Sequence, residues 1–218
     1  DQHIMVWKAL GAEVTEKDDH IEITAPQGFQ GGEIRFSIST VGGTETALIC
    51  TAIAKGRSEI YNAYITPEVE DLIAFLRRMG ANIEVFGSSH IVVEGRGQPL
   101  GGTHMSVMSD RIEALTWIVY GILSGGELTV HNVPFGSMEV PLLHLQQAGI
   151  DFFRNSRSVH VTPGCLTSGS VQPFELACGA HPGVISDMQS FYVILALAAA
   201  GTSRVYDYRY PERIAFVG

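Results

Sequence analysis

The chain repeats one pattern three times: an amphipathic helix that ends in a glycine, followed by two short alternating stretches. The helix-ending glycines, Gly11, Gly80 and Gly149, are 69 residues apart each time. Apolar residues precede each glycine at steps of three, which places them on one helix face. They align as Ile4, Ile73 and Leu142, as Trp7, Leu76 and Leu145, and as Leu10, Met79 and Ala148. These faces are predicted to form core, and each glycine is predicted to end its helix in the left-handed conformation.

The alternating stretches that follow each glycine predict β-hairpins. Residues 81–85 and 90–94 alternate polar and apolar side chains around a Gly-Ser-Ser turn, which is the period-two pattern of paired strands. The corresponding hairpins run from Glu13 to Thr24 and from Asp151 to Thr162. Each repeat is therefore expected to end in two antiparallel strands.

A second pattern, an apolar helix followed by glycine and a strand, precedes the first. Helices opened by Thr, Ser or Asp caps are predicted over residues 44–54, 111–123 and 188–200. The strands that follow them are predicted at residues 58–62, 127–132 and 203–207. One full repeat is thus βαβαββ in about 70 residues. Two whole repeats are expected, at roughly 33–97 and 102–163.

Half-repeats stand at both ends of the chain. The sequence begins with the second half of a repeat, at Asp1 rather than at methionine, and it ends with the first half of another. Half a repeat leaves an apolar face uncovered, because repeats bury their cores against their neighbours. We therefore expect the 218 residues to be part of a longer protein.

Composition excludes several classes of protein. Apolar residues make up 45% and charged residues 17%, which argues against disorder. A net charge of −9 argues against a nucleic-acid or anionic-membrane partner. No apolar run approaches the roughly 20 residues that span a membrane, and no signal peptide opens the chain. Cys50, Cys165 and Cys178 have neither metal-ligand nor disulfide spacing, which favours a reducing, cytoplasmic compartment.

Four segments resemble motifs of the enolpyruvyl transferases of the UDP-N-acetylglucosamine type, and they occur in the same order along the chain. They are VGGTE at 41–45, similar to V-G-A-T-E; NA at 62–63 with PEVED at 67–71, similar to N-A-A-R-E-P-E-I-V-D; SDRIEA at 109–114, similar to P-D-R-I-E-A; and HPG at 181–183 with SDMQ at 186–189, similar to H-P-G-F-P-T-D-M-Q. Four motifs in order on a repeat of the right length make the resemblance specific.

The resemblance implies an α/β fold in which βαβαββ repeats form inside-out barrels, with helices inside and sheets outside. Residues 1–98 would belong to the first barrel domain and residues 99–218 to the second, with the active site in the cleft between them. It further implies transfer of the enolpyruvyl group of phosphoenolpyruvate to the 3-hydroxyl of UDP-N-acetylglucosamine in peptidoglycan synthesis. These two small molecules are the only partners implied; no cofactor is required, and the sequence has no metal motif.

Two residues are candidates for catalysis. By resemblance, Asp187 contacts the reacting hydroxyl as a general base; the alternative is an ordinary helix N-cap, a position that Asp favours. By resemblance, Arg111 lies in the cleft and can bind a carboxylate or phosphate with two parallel hydrogen bonds. The alternative for Arg111 is a solvated side chain or an ion pair with Asp110 or Glu113.

The remaining candidates are implied to bind substrate. Asp1 and His3 match the V-D-x-H segment that lines the uracil pocket, although terminal and helical residues of these types are commonly surface. Glu68 resembles a glutamate near the cleft, although acidic residues are common at helix N-termini. Arg213 matches the arginine of F-E-N-R.

A glycine turn before a helix suggests a further contact. Thr40, Val41 and Gly42 stand where backbone N–H groups could meet a diphosphate. A purely structural loop is the alternative.

The match also has departures. Ile65 and Thr66 replace the usual Arg-Glu pair, and residues 210–213 read YPER in place of F-E-N-R. The family's cysteine-bearing loop would precede Asp1, and further phosphoenolpyruvate-binding residues lie outside the match, so this chain alone is expected to lack part of the active site. A divergent transferase with another acceptor, including the shikimate-pathway enzyme, and a non-catalytic nucleotide-sugar-binding repeat protein remain alternatives.

Overall fold

The computed structural model describes residues 2–217. It divides into an N-terminal unit ending at Val107 and a C-terminal unit beginning at Met108, and each unit contains both helices and strands. The N-terminal unit contains α1 (Gln2–Ala9), β1 (Glu13–Glu16), β2 (Ile21–Thr24), β3 (Glu33–Arg35), α2 (Val41–Ile53), β4 (Lys55–Tyr61), α3 (Pro67–Arg78), β5 (Asn82–Phe86) and β6 (His90–Arg96). The C-terminal unit contains α4 (Arg111–Ser124), β7 (Leu128–His131), α5 (Glu139–Gln147), β8 (Phe153–Arg154), β9 (Ser158–Val161), β10 (Glu175–Cys178), α6 (Gln189–Leu197) and β11 (Arg204–Asp207). Three 3-10 segments complete it: Phe135–Ser137, Ser186–Met188 and Pro211–Val217.

The three repeated glycines have the predicted left-handed backbone. Their φ angles are +84° at Gly11, +99° at Gly80 and +77° at Gly149. A Cβ atom is unfavourable in this region by about 1–2 kcal/mol, so glycine ends α1, α3 and α5. The prediction from the 69-residue spacing is confirmed.

The aligned apolar positions form the cores of the two units. Seven of the nine are buried: Ile4, Leu10, Ile73, Leu76, Leu142, Leu145 and Ala148. Trp7 and Met79 are half-buried and pack against the N-terminal core. The three-residue step therefore identified the inward face of each helix correctly.

Helix starts differ from the predicted ones by a few residues. α2 begins at Val41 with Thr40 as N-cap, three residues before the predicted start. α6 begins at Gln189 after a 3-10 turn and ends at Leu197, earlier than the predicted Ala200. Such shifts are usual because apolar periodicity fades in the capping turns.

The N-terminal unit contains one complete repeat. Its sheet has the order β3-β4-β6-β5, with β3 parallel to β4 and the other neighbours antiparallel. β1 and β2 form the predicted hairpin from Glu13 to Thr24. This βαβαββ arrangement is the one the sequence predicts.

The C-terminal unit departs from the prediction at one strand. Its sheets have the orders β7-β9-β8 and β10-β11, the latter pair parallel. No strand forms between β6 and α4, where residues 97–110 are described without helix or strand. The prediction of a complete second repeat over residues 102–163 is therefore wrong in its first strand.

The missing strand has a physical reason. In the N-terminal repeat, Ile34 and Phe36 anchor β3, being 0% and 4% exposed. The positions 70 residues later hold His104 and Ser106, which are polar and exposed. Without apolar anchors the segment does not pair, and a groove of about 690 Å³ lies along β7, lined by Met108, Trp117 and residues 128–132.

Two global features of the described residues bear on the class of protein. No helix among them has the length and apolar character that crossing a membrane demands. Within residues 2–217 no group of three or more His, Cys, Asp or Glu side chains is placed to hold a metal ion.

Candidate functional site

His3 lies against the start of α2 in the N-terminal unit. Its Nδ1 is 2.7 Å from Thr46 Oγ1. A Cβ atom at Gly42 would be 3.3 Å from His3 Cε1, so the absence of a side chain at Gly42 is what lets the imidazole approach. The structure thus places His3 beside Gly42, another predicted substrate-binding residue.

Thr40 shapes the helix start at which a diphosphate was predicted to bind. Its Oγ1 accepts a hydrogen bond from Gly43 N at 3.4 Å, and its carbonyl accepts one from Thr44 Oγ1 at 2.6 Å. Val41 and Gly42 are the first two residues of α2, whose N–H groups point along the axis away from the helix. Thr40 therefore acts as a cap, and the two residues after it offer the backbone donors.

Glu68 contributes negative charge near the first turns of α2. It is the second residue of α3, after Pro67. Burial raises the pKa of Glu45, the charge of Glu68 raises that pKa further, and His3 lowers it. His3 and Glu68 therefore act on one half-buried carboxyl group. Asp1, the other residue predicted in this region, lies outside the described residues.

Arg111 is a buried cation at the start of α4. Its side chain is 1% exposed, and its Nη1 donates to His181 Nδ1 at 3.1 Å. Asp110 accepts from the backbone N–H groups of Ile112 and Glu113, at 2.7 and 3.2 Å. The solvated side chain considered from sequence is therefore wrong, and Asp110 acts as the helix cap.

The contact with Arg111 fixes the protonation of His181. A guanidinium can only donate, so Nδ1 of His181 must accept, and the ring proton is on Nε2. His181 belongs to the loop before Asp187, and the 3-10 turn that follows this loop packs against α4. The contact between buried Arg111 and half-buried His181 consequently joins two of the motifs that carried the resemblance.

Asp187 is the middle residue of the turn Ser186–Met188. Neither that turn nor α6 has a side-chain cap. Asp187 is therefore not an ordinary N-cap, which was the alternative considered from the sequence. Arg213 Nη1 donates to Asp187 Oδ1, and the two side chains are 45% and 48% exposed. The arginine of the YPER segment and the candidate base thus form an accessible ion pair.

Tyr210 supports this arginine. The Arg213 guanidinium carbon lies 4.7 Å from the centre of the Tyr210 ring, a cation–π distance. The backbone N–H of Arg213 donates to the Tyr210 carbonyl at 2.9 Å. Arg213 is therefore held on both its backbone and its side chain.

Three polar residues near Asp187 were not singled out from sequence. Ser186 Oγ is buried with no hydrogen-bond partner among the described residues, a condition that costs about 1–3 kcal/mol unless a ligand or water meets it. Gln189 and Asp207 are buried and bonded to each other at 3.2 Å. Ser186 and Gln189 belong to the SDMQ segment, and Asp207 ends the third copy of a repeated strand, so each of the three had a sequence signal.

The family model of EPSP synthase (3-phosphoshikimate 1-carboxyvinyltransferase) matches residues 1–215 of the chain. The chain belongs to this family. The EPSP synthase family model thus covers both units and every motif described above. The predicted resemblance to enolpyruvyl transferases is confirmed.

Individual members of the EPSP synthase family are similar over the whole chain. The UDP-N-acetylglucosamine 1-carboxyvinyltransferase of Trichlorobacter lovleyi is 33% identical over 100% of this chain and 51% of its own length. The enzyme of the same name from Solibacter usitatus is 34% identical over 97% of the chain and 50% of its own length. The chain therefore spans about half the length of the curated relatives it matches.

Solved structures support the same fold. The enolpyruvyl transferase NikO from Streptomyces tendae superposes with a TM-score of 0.78 at 23% identity, over 95% of this chain and 52% of its own. An EPSP synthase from Acinetobacter baumannii superposes with a TM-score of 0.61 at 18% identity, over 93% of this chain and 47% of its own chain. At such identities the comparison shows the EPSP synthase fold alone.

Proposed function

We propose that the chain is part of an enolpyruvyl transferase that joins phosphoenolpyruvate to the 3-hydroxyl of UDP-N-acetylglucosamine in peptidoglycan synthesis. The relatives of that name match 97% or more of the chain. The observation that carries the proposal is the carboxylate of Asp187, which is half exposed and held by Arg213 within the SDMQ motif. Residues 1–98 and 99–218 are proposed to contribute to two inside-out barrel domains.

Asp187 is proposed to take the proton of the acceptor hydroxyl. The hydroxyl oxygen then bonds to C2 of phosphoenolpyruvate, and a proton adds to the methylene carbon to give a methyl group. Loss of phosphate from C2 and of one proton from this methyl group restores the double bond. A positioned carboxylate contributes typically 10²–10⁴-fold to such a transfer. Arg213 orients this carboxylate by donating to Oδ1, which leaves Oδ2 to face the hydroxyl.

The other candidates are proposed to hold the anionic substrates. Arg111 offers a buried guanidinium fixed by His181, and buried cations bind phosphate and carboxylate strongly because solvent screening is weak. The first N–H groups of α2 at Val41 and Gly42 suit a diphosphate. His3 and Glu68 flank that helix start and are proposed to contact the nucleotide.

The proposal is tested by measuring turnover in the full-length protein that the gene encodes. Phosphate release from phosphoenolpyruvate in the presence of UDP-N-acetylglucosamine should fall by about 10²-fold or more in Asp187→Ala. Asp151→Asn, an exposed carboxylate of the same unit, is the matched control and should retain turnover. Equal turnover in the two variants would refute the role of Asp187. Binding of the nucleotide-sugar without any phosphate release by the parent protein would favour the non-catalytic alternative.

One observation favours a second candidate, an enolpyruvyl transferase with another nucleotide acceptor. Ile65 stands where the related motif has arginine, and it packs against the N-terminal core, so this position provides no cation for a substrate. Phosphate release with a panel of UDP-sugars distinguishes the two. A kcat/KM higher for another acceptor than for UDP-N-acetylglucosamine would select the second candidate.

A further inference from the structure

Asp207 is a buried carboxylate that bonds to two separate segments of the C-terminal unit. It is the last residue of β11 and is 5% exposed. Its Oδ1 accepts from the backbone N–H groups of Arg209 and Tyr210, at 3.0 and 2.8 Å. Its Oδ2 accepts from Nε2 of Gln189 at 3.2 Å. One oxygen therefore fixes the turn after β11, and the other fixes the first residue of α6.

The other two copies of the repeat show that this arrangement is specific to the third. Asn62 and Asn132 occupy the corresponding positions after β4 and β7; both have φ of +57°, and both are exposed. Asn62 Nδ2 donates to the Phe36 carbonyl at 2.9 Å, and Asn132 Oδ1 accepts from Arg157 Nη2 at 2.7 Å. An asparagine has a single acceptor oxygen, whereas a carboxylate has two. Accepting from the turn and from Gln189 together needs an aspartate.

The bonds of Asp207 lead on both sides to the candidate base. On one side, Tyr210 is bonded to Asp207 and in turn contacts Arg213 through its carbonyl and its ring. On the other, Gln189 follows the turn that contains Asp187. Arg213 then donates to Asp187 and closes the ring of contacts.

We infer that Asp207 is a positioning residue, which holds the turn of Arg213 against the start of α6 so that Arg213 meets Asp187. The inference rests on the proposed role of Asp187. Displacement of a catalytic group by about 1 Å can lower a rate by about 10²-fold. Loss of the Asp207 carboxylate should therefore act on turnover through Arg213, without a contact between Asp207 and substrate.

A double-mutant cycle in the protein as its gene encodes it tests the inference. Asp207→Ala is expected to lower kcat by about 10²-fold and to lower it no further when Arg213 is already alanine, because residues acting as one unit are not additive. Asn132→Ala, the same repeat position in the second copy, should leave kcat unchanged. If the double variant instead loses kcat by the product of the two single losses, the inference is overturned. Asp207 would then affect kcat independently of Arg213, as a residue that matters only for general stability does.

Two further measurements keep the test decisive. If Asp207→Ala does not fold, Gln189→Met replaces it: this variant keeps the turn bonds of Asp207, removes the link to α6, and should show the same non-additivity with Arg213→Ala.

The Arg213 Nε–H signal in NMR reports the ion pair whether or not the protein turns over. In Asp207→Ala it should move to its position in Asp187→Ala, and an unmoved signal overturns the inference. A protein in which Asp187→Ala keeps full turnover, while this signal still moves, would refute the proposed role of Asp187 as base and leave the positioning of Arg213 by Asp207 standing.

Discussion

Arg111 Nη1 lies 3.1 Å from Nδ1 of His181, a residue 70 positions later in the chain. The contact joins the first residue of α4 to the loop that leads to Asp187. A guanidinium that is 1% exposed needs acceptors, because a buried charge without hydrogen bonds is strongly unfavourable. The imidazole of His181 therefore both stabilises the fold and fixes the position of the Arg111 guanidinium.

Replacement of His181 should destabilise the protein. His181→Phe keeps a ring but removes an acceptor of Arg111, and loss of one partner of a buried charged group costs about 1–3 kcal/mol. The free energy of unfolding from urea titration measures the effect. His131→Phe, an exposed histidine of the same unit, should change it by less than about 0.5 kcal/mol. Equal stability of the two variants would contradict the contact.

Glu59 should make stability depend on acid pH. Two hydrogen bonds lower the pKa of this carboxyl from 4.5 to about 2; the one from Tyr61 has the larger effect, and the one from Arg57 follows. As the pH falls from 4.5 towards 2, the unfolded chain binds a proton that the folded chain does not, so stability is present above this range and is lost within it. Glu59→Gln should reduce the slope of the unfolding midpoint against pH between these values. Glu84→Gln on β5 is the charge-matched comparison, and identical slopes for both variants would refute the prediction.

The three cysteines should react slowly in the folded protein. Burial, and then the charge of Asp207, raises the pKa of Cys178 to about 12. Burial also raises the pKa values of Cys50 and Cys165. Because the thiolate is the nucleophile, labelling by a disulfide reagent at pH 8 should be on the order of 10²-fold slower than in denaturant. Rapid labelling of any of the three under native conditions would show that its surroundings are open.

The glycine that ends α3 should resist substitution for conformational reasons alone. A Cβ at Gly80 meets nothing within 4 Å, but φ is +99°. Gly80→Ala should therefore lower the free energy of unfolding by about 1–2 kcal/mol, and Gly80→Asn by less, because asparagine tolerates this region. Gly102→Ala, which also meets open space but without a positive φ, should be neutral in the same urea titration. A neutral Gly80→Ala would contradict the helix-end role.

Features set by neighbouring residues were read correctly from the sequence. The left-handed glycines at 11, 80 and 149, the hairpins that follow them and the inward faces of the helices all depend on steric preferences within a few residues. The first strand of the second repeat was predicted wrongly, because its pairing depends on apolar anchors that His104 and Ser106 do not supply. Periodicity between repeats suggested a strand that side-chain chemistry does not stabilise.

The candidate site was likewise predicted in part from the sequence and in part was seen only in the structure. Sequence motifs named Asp187, Arg111 and Arg213, but they did not indicate that Arg213 would pair with Asp187 or that His181 would accept from Arg111. Asp207 carried a sequence signal, an aspartate where two other copies have asparagine, yet its importance follows only from its burial against Gln189.

The sequence by itself determined the repeat, the order of helices and hairpins, the core faces and the family motifs, because each of these is encoded over a short stretch of chain. The tertiary structure alone decided which charges meet and which polar groups are buried. Those contacts join residues that are 18 to 70 positions apart, and they form only when packed helices and paired strands fix the distance between segments.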